Sequence, residues 1–465
     1  MGRGVHWGSR FVAQVFLQAL LRHAPLARLQ VFVAAQGGTQ RVLAQYREQL
    51  AGGDRLEVLP LQALPESLTS APPLALHSIE NHLHTVAYAR SLAAEARFPV
   101  TTSAFSSPSY HTQLPGHALD LQSNLRPGDT LVCMSDCQRQ VFRSQFDQLE
   151  ATTLQTWRGT PTRPAMAVVP LGIDTEQIRP TSGRAWRQQL AIPDEAFVAL
   201  SLGRLSVTDK QDWEPVLEGL ADVVQAERPG ERPLMLVIAG NDQGYARRLQ
   251  QWADDWGLAG RLRLVADPPE NEKCALLGAA DCFLALPDNP QEAFGYSVLE
   301  AMACGLPIVA ADWDGLKETV TPEVGIRVPT WWGDATRSLD RLTPLYRVNE
   351  LQLVHLALAQ SVAVDVTAAW EAVRALAADP VRCRQLGAAA RARAVQVYHW
   401  PVIIQQYMEL WQTAAAQAAE APAAPVGVHY ATAYDRTFAH YPSRRLEQDT
   451  LIARTVRWPA GTVPV

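Results

Sequence analysis

Lysine is nearly absent from this chain. Of 41 basic residues only Lys210, Lys273 and Lys317 are lysines. Each is a compact point charge among planar arginine forks, and so stands out as a candidate anion contact. Cysteine is scarce and scattered: among six residues, Cys133 and Cys137 lie four apart, with no second pair at ligand spacing. That pattern excludes a cysteine metal site or a disulfide framework and leaves buried or incidental thiols. No apolar run reaches the roughly 18 residues that cross a bilayer. The opening MGRGVHWGSRF lacks the charged region and apolar run of a secretory signal, so a cytoplasmic location is the expectation. A net charge of −6 offers no basic surface for a nucleic-acid backbone.

The remainder describes a globular α/β protein. With 465 residues and 48% hydrophobic content, the chain can bury two or three full cores. Short apolar runs read as buried parallel strands at 29–34, 73–77, 130–135, 165–170, 197–203, 234–240, 262–266 and 282–287. Helical stripes lie between them, as Phe11, Val12, Val15, Phe16, Ala19 and Leu20, and as Val216, Leu217, Leu220, Val223 and Val224. Alternating βα units imply two doubly wound, Rossmann-like domains facing a cleft, with ligands at the carboxyl ends of the strands. Loss of strand character between Gly172 and Pro193 places the first domain at 1–180 and the second at 190–395. An amphipathic helix is expected over 396–418, then an Ala/Pro linker and a tail, 419–465, without a period that assigns it a role. The first helix is preceded by a Gly-rich turn, Gly2-Arg3-Gly4, where an apolar strand is expected. Either the first sheet lacks that strand or the chain begins inside a longer reading frame.

The chemistry concentrates in 281–315, DCFLALPDNPQEAFGYSVLEAMACGLPIVAADWDG. A strand ends at Leu286-Pro287, and the polar loop DNPQEAFGY follows. Ser297 and Glu300 have the spacing of a capping box, and Gly305 with Pro307 stops the helix. A helix amino terminus at a strand's carboxyl end offers free N–H groups to a diphosphate. Gly295 permits close backbone approach. Glu292 and Glu300 can each bind ligand hydroxyls. On spacing alone, a helix cap for Glu300 and a solvated loop charge for Glu292 are the favoured readings.

The flanking residues resemble the donor-binding region of glycosyltransferase family 4, a retaining family with the GT-B fold. The family pattern is a Glu, a Phe-Gly pair and Leu-Glu-Ala-Met-Ala-x-Gly-x-Pro-Val. It stands here as Glu292, Phe294-Gly295 and Leu299-Glu300-Ala301-Met302-Ala303-Cys304-Gly305-Leu306-Pro307-Ile308. The segment 201–212, with Gly203, Arg204 and Lys210, resembles the family's Gly-Arg-Leu…Lys loop, with one extra residue between Arg and Lys. VPLGID, 169–174, is similar to its interdomain hinge, and VYHWPVIIQQYMELW to its closing helix, which crosses back to the first domain.

The resemblance implies transfer of a hexose-like unit from a UDP- or GDP-linked sugar to an acceptor hydroxyl, with retention, for a polysaccharide, lipid-linked glycan or glycosylated metabolite. Glu292, Arg204 and Lys210 are the implied catalytic residues. Arg204 and Lys210 would neutralise the leaving diphosphate, and Glu292 would hold sugar hydroxyls. Gly203, Phe294, Gly295, Tyr296, Ser297, Val298 and Glu300 would bind the diphosphate and ribose. No metal or cofactor beyond the donor is implied. The acceptor would be a glycan, a lipid-linked glycan or a small molecule, and a lipid-linked acceptor leaves peripheral membrane contact open through the helix at 8–23.

Relatives carry a histidine after the Pro-Val strand. Here that place falls at Ala104 or Phe105, with His111 and His77 as substitutes. A non-catalytic GT-B protein binding a nucleotide-sugar or a partner enzyme is therefore held beside the enzyme. A dinucleotide oxidoreductase is disfavoured, because no G-x-G-x-x-G follows an early strand.

Overall fold

The computed structural model describes residues 8–33, 55–93, 96–106, 111–156, 161–208, 210–242, 244–333, 342–346 and 351–421. The turn Gly2-Arg3-Gly4, the tail 427–465 and the side chain of His111 lie outside the described residues.

Two groups of parallel strands organise the chain. In the amino-terminal half, β1 (Leu29–Val33) pairs with β2 (Leu56–Pro60). A separate sheet runs β3-β4-β5-β6, from Leu76–Ser78, Val100–Ala104, Thr130–Cys133 and Ala165–Val168. In the carboxyl-terminal half, β7 (Phe197–Leu202), β8 (Leu234–Gly240), β9 (Leu262–Ala266), β10 (Cys282–Ala285), β11 (Ile308–Ala311) and β12 (Gly325–Val328) form one parallel sheet. Its order is β12-β11-β10-β7-β8-β9. This is the doubly wound arrangement, with its topological switch point between β7 and β10.

All seven residues of β8 are buried, which accounts for its unbroken apolar sequence. The strands β2 and β12 lack such a run. Glu57 interrupts one and Arg327 the other, and each strand ends its sheet, where one flank faces polar surroundings. The helix Gly8–His23 buries Val12, Phe16, Ala19 and Leu20, the expected stripe.

The long helix Trp400–Glu420 returns to the first half. Trp400, Ile403, Ile404, Tyr407, Met408 and Trp411 pack in one cluster with Phe16, Leu20, Val132 and Val169. The Tyr407 hydroxyl lies 2.6 Å from Ser103 Oγ, and Trp411 Nε1 donates to Thr101 Oγ1 at 3.1 Å. In the segment 169–174, Ile173 accepts from Trp400 N–H and donates to the Tyr398 carbonyl. This two-domain architecture with a returning helix is the GT-B fold. No helix among the described residues is long and apolar enough to cross a membrane.

A buried ion pair staples the four-stranded sheet to its helices. Arg90 and Asp129 are 2% and 0% exposed and form two hydrogen bonds, at 2.6 and 2.8 Å. Asp129 also accepts from Val100 N–H and Arg126 N–H. Removing one partner strands the other charge away from water. Asp129→Ala is expected to destabilise the chain by about 3–5 kcal/mol in urea denaturation. A loss near the level of a surface pair, below about 1 kcal/mol, would show that water reaches Arg90.

Candidate functional site

The loops that leave β7 and β10 meet at the switch point. After β7 the chain turns through Gly203 and Arg204 to Lys210, and after β10 it runs through Pro287 to Glu292. The Lys210 ammonium donates to Glu292 Oε2 at 2.7 Å. The other oxygen of Glu292 accepts the N–H of Gly295 at 3.0 Å. Burial opposes ionisation of Glu292, but the Lys210 charge and these hydrogen bonds outweigh it and hold the carboxyl below its usual range.

Gly295 precedes the helix Tyr296–Ala303 and has φ of 80°, in the left-handed region that favours glycine. A Cβ there would also stand 2.7 Å from Leu316 Cδ2. Ser297 is the second residue of the helix, and no side chain caps it from the Gly295 position. The expected capping box is therefore absent. The backbone needs a positive φ to leave the loop, which places glycine rather than serine at the cap, and Glu292 supplies the carboxylate that binds Gly295 N–H.

The displaced box changes Glu300 as well. It sits in the second turn, 4% exposed, with Oε1 bonded to Lys273 Nζ at 2.8 Å. Burial raises its carboxyl, and Lys273 works against that rise. The sequence marks Lys273 only by its rarity, whereas the fold assigns it to the second glutamate as it assigns Lys210 to the first. Lys273 also meets Glu270 at 2.6 Å.

The other expected residues occupy different places. Gly295, Ser297, Val298, Lys210 and Glu292 line one small cleft. Arg204 is half-buried beside Gly203, and a Cβ on Gly203 would meet only Lys210 at an ordinary 3.7 Å. The Phe294 ring is buried and packs edge-on against Tyr398, with centroids 5.9 Å apart. Tyr296 is partly buried against the same core.

Two residues that the sequence does not advertise hold the Lys210 loop. Asn289 is fully buried; its Nδ2 donates to the Lys210 carbonyl at 2.7 Å, and its own carbonyl accepts from Trp313 Nε1 at 2.9 Å. Asp288 accepts Asp212 N–H at 2.7 Å. The nearest signal was the DNPQE composition of the loop, which reads equally as turn chemistry.

On the acceptor side, the place of the expected histidine holds no polar group. Ala104 is buried within β4, and Phe105 packs edge-on against Phe16 at 5.6 Å. His77 contacts Thr101 Oγ1 at 2.8 Å, and burial pushes it down to about 3, so it stays neutral. A mainly apolar cavity of about 1660 Å³ lies between β1 and β3, bordered by Phe16, His77 and Trp411, and reaches Lys273.

Burial pushes the Asp288 carboxyl up to about 7, against roughly 3.9 unfolded. Between those values the folded chain holds a proton that the unfolded chain releases, so this group's contribution to stability falls as pH rises. Asp288→Asn is expected to gain stability relative to the parent as pH goes from about 4 to 8. Urea denaturation at both ends checks it, and parallel pH profiles would refute it.

Known proteins resemble this chain in part of its sequence and in its fold. Residues 183–343 match the family described as glycosyl transferases group 1. A D-inositol 3-phosphate glycosyltransferase from Saccharomonospora viridis is 33% identical over 180 residues, 37% of this chain and 41% of that protein. The chain thus matches about two-fifths of the length of such a relative. Among solved structures, Anabaena HepE in complex with UDP superposes with a TM-score of 0.58 at 18% identity, covering 87% of this chain and 96% of that one. Sucrose-phosphate synthase from Thermosynechococcus elongatus gives 0.53 at 18% identity, covering 88% and 94%. Residues 183–343 are thus similar to group 1 glycosyl transferases, and the chain shares the overall fold of Anabaena HepE.

Proposed function

We propose that the chain is a retaining hexosyltransferase that moves a sugar from a UDP- or GDP-linked donor to an acceptor hydroxyl. The Lys210–Glu292 pair across the switch point carries this proposal, because it sets a cation and a carboxylate side by side where a doubly wound sheet binds its ligand. The glycosyltransferase name of the Saccharomonospora relative supports it.

In this mechanism Arg204, Lys210 and the first N–H groups of the helix Tyr296–Ala303 stabilise the diphosphate as the anomeric bond breaks. Gly203, Gly295, Ser297 and Val298 form the wall against which it lies. Glu292 accepts hydrogen bonds from the sugar, and Glu300, oriented by Lys273, accepts them from the ribose. Phe294 and Tyr296 contribute through packing that sets the loop's path. Lys210 and Arg204 supply the positive charge that the departing group requires. The first domain supplies the acceptor side, for a glycan, a lipid-linked glycan or a small molecule.

A second proposal, a non-catalytic nucleotide-sugar binder, is favoured by Ala104 and Phe105 at the place of the expected histidine. The two diverge in one experiment. Thermal shift with UDP, GDP and ADP forms identifies the donor, since a ligand bound to the folded chain raises its stability. With that donor, Lys210→Ala is expected to weaken nucleotide binding by about tenfold or more. Glu292→Gln is expected to leave nucleotide binding nearly unchanged and to cut turnover by about 100-fold. Binding without transfer or donor hydrolysis would favour the non-catalytic protein. No binding of any of the three nucleotides would remove the basis of both.

A further inference from the structure

The first domain holds a second convergent cluster of polar side chains, apart from the donor segments. His82 and His84 lie just after β3, and His117 and Asp120 lie on the helix Leu114–Gln122. Asp120 is buried, and one face of it is already committed. Its Oδ1 accepts the N–H groups of Leu83 and His84 at 2.8 and 2.7 Å, and lies 3.1 Å from His84 Nδ1. These contacts fix the carboxylate plane. They leave Oδ2 directed at two imidazoles, 3.6 Å from His117 Nδ1 and 3.8 Å from His82 Nδ1. The two Nδ1 atoms are 3.2 Å from each other.

Separations of 3.6 and 3.8 Å are too long for hydrogen bonds. They suit neighbouring ligands of one ion, since donors 2.0–2.2 Å from a tetrahedral zinc stand about 3.3–3.6 Å apart. The ligand atoms of His82, His84 and Asp120 also lie within 4.8 Å of one another. We propose that His82, His117 and Asp120, with His84 as the fourth group, bind one zinc-like divalent transition-metal ion. Imidazole nitrogens with a single carboxylate suit zinc better than calcium or magnesium, which favour all-oxygen sets.

The surroundings fit such a site. The buried His117 ring packs edge-on against Phe142 and Phe146, at 5.3 and 5.6 Å, which closes that side to water. The side chains of His82 and His84 are 20% and 24% exposed and leave an entry path. Gly116 lies under the His82 ring, where a Cβ would stand 2.5 Å from Cε1. Neutral imidazole and ionised carboxylate are the forms that ligate. The hydrogen bonds to Leu83 and His84 are the outer contacts that orient a ligating carboxylate. A bound ion would cross-link the segment after β3 to the helix Leu114–Gln122.

The full chain, stripped with a chelator, is to be titrated calorimetrically with zinc chloride, and with cobalt(II) for its visible spectrum. One equivalent should bind, raise the melting temperature and give the intense bands of tetrahedral cobalt. His82→Gln and His117→Gln should each weaken binding by at least about tenfold, while His23→Gln, outside the cluster, should leave it unchanged. Because His117 is buried, His82→Gln on the exposed side is the decisive variant. Absence of stoichiometric binding by the folded chain overturns the proposal, as does binding that His82→Gln does not alter.

Discussion

One carboxylate spans the switch point of the second sheet. Glu292 takes Lys210 from the loop after β7 and Gly295 N–H from the loop after β10. Those loops leave adjacent strands and wind away in opposite directions, so no sheet hydrogen bonds hold them together. A partly buried ion pair sets desolvation against attraction and adds little net stability. What it provides is position: it places a cation beside the first free N–H groups of the helix Tyr296–Ala303. Asn289 and Asp288 complete the arrangement by fixing the backbone on either side of Gln211.

The same use of a carboxylate on free backbone N–H groups joins the two halves. Glu318, from the second half, accepts from Asp136 N–H and Cys137 N–H at 2.8 and 2.9 Å. These are the first residues of the 21-residue helix Asp136–Thr156, so two of its orphan donors are met by a residue of the second half, while Ser135 meets Gln138 N–H and Arg139 N–H locally. Ser135 Oγ donates to the carbonyl of Ala293, the residue just before the Phe294–Tyr296 turn. The first half thus touches the donor loop directly, and the pairing of Ile173 with the segment around His399 keeps the two chain crossings together. A change in the cleft is felt at a helix start, where free N–H groups are costly to bury unpaired.

The second half was legible in sequence because its requirements are local. Buried parallel strands must be continuously apolar, and those of β8, β10 and β11 are, while β7 is broken only by Ser201. Edge strands with Glu57 and Arg327 escaped for the opposite reason. The capping box misled because Ser297 and Glu300 have the right spacing while the preceding turn needs a positive φ that only Gly295 supplies without strain. Partners far apart in the chain were out of reach altogether. Lys273 meets Glu300 27 residues away, and His82 meets His117 across 35. Spacing within a motif carries no information on such pairs.

The first half was less legible because strand pairing does less of its work. β1 and β3 belong to separate ladders and border one apolar cavity rather than each other. Side chains then take over ties that main-chain hydrogen bonds provide elsewhere. Arg90 and Asp129 anchor β4, Asp120 anchors the segment before the helix His84–Ser91, and Ser103 and Thr101 reach Tyr407 and Trp411 on the returning helix. His77 is part of this set: its ring lies 5.3 Å from Trp411, and its Nδ1 contacts the same Thr101 hydroxyl. A histidine so placed keeps a sheet and a helix in register while staying neutral at physiological pH. Residue types that suit chemistry are here committed to structure, which is why a histidine at the end of a strand was ambiguous in sequence.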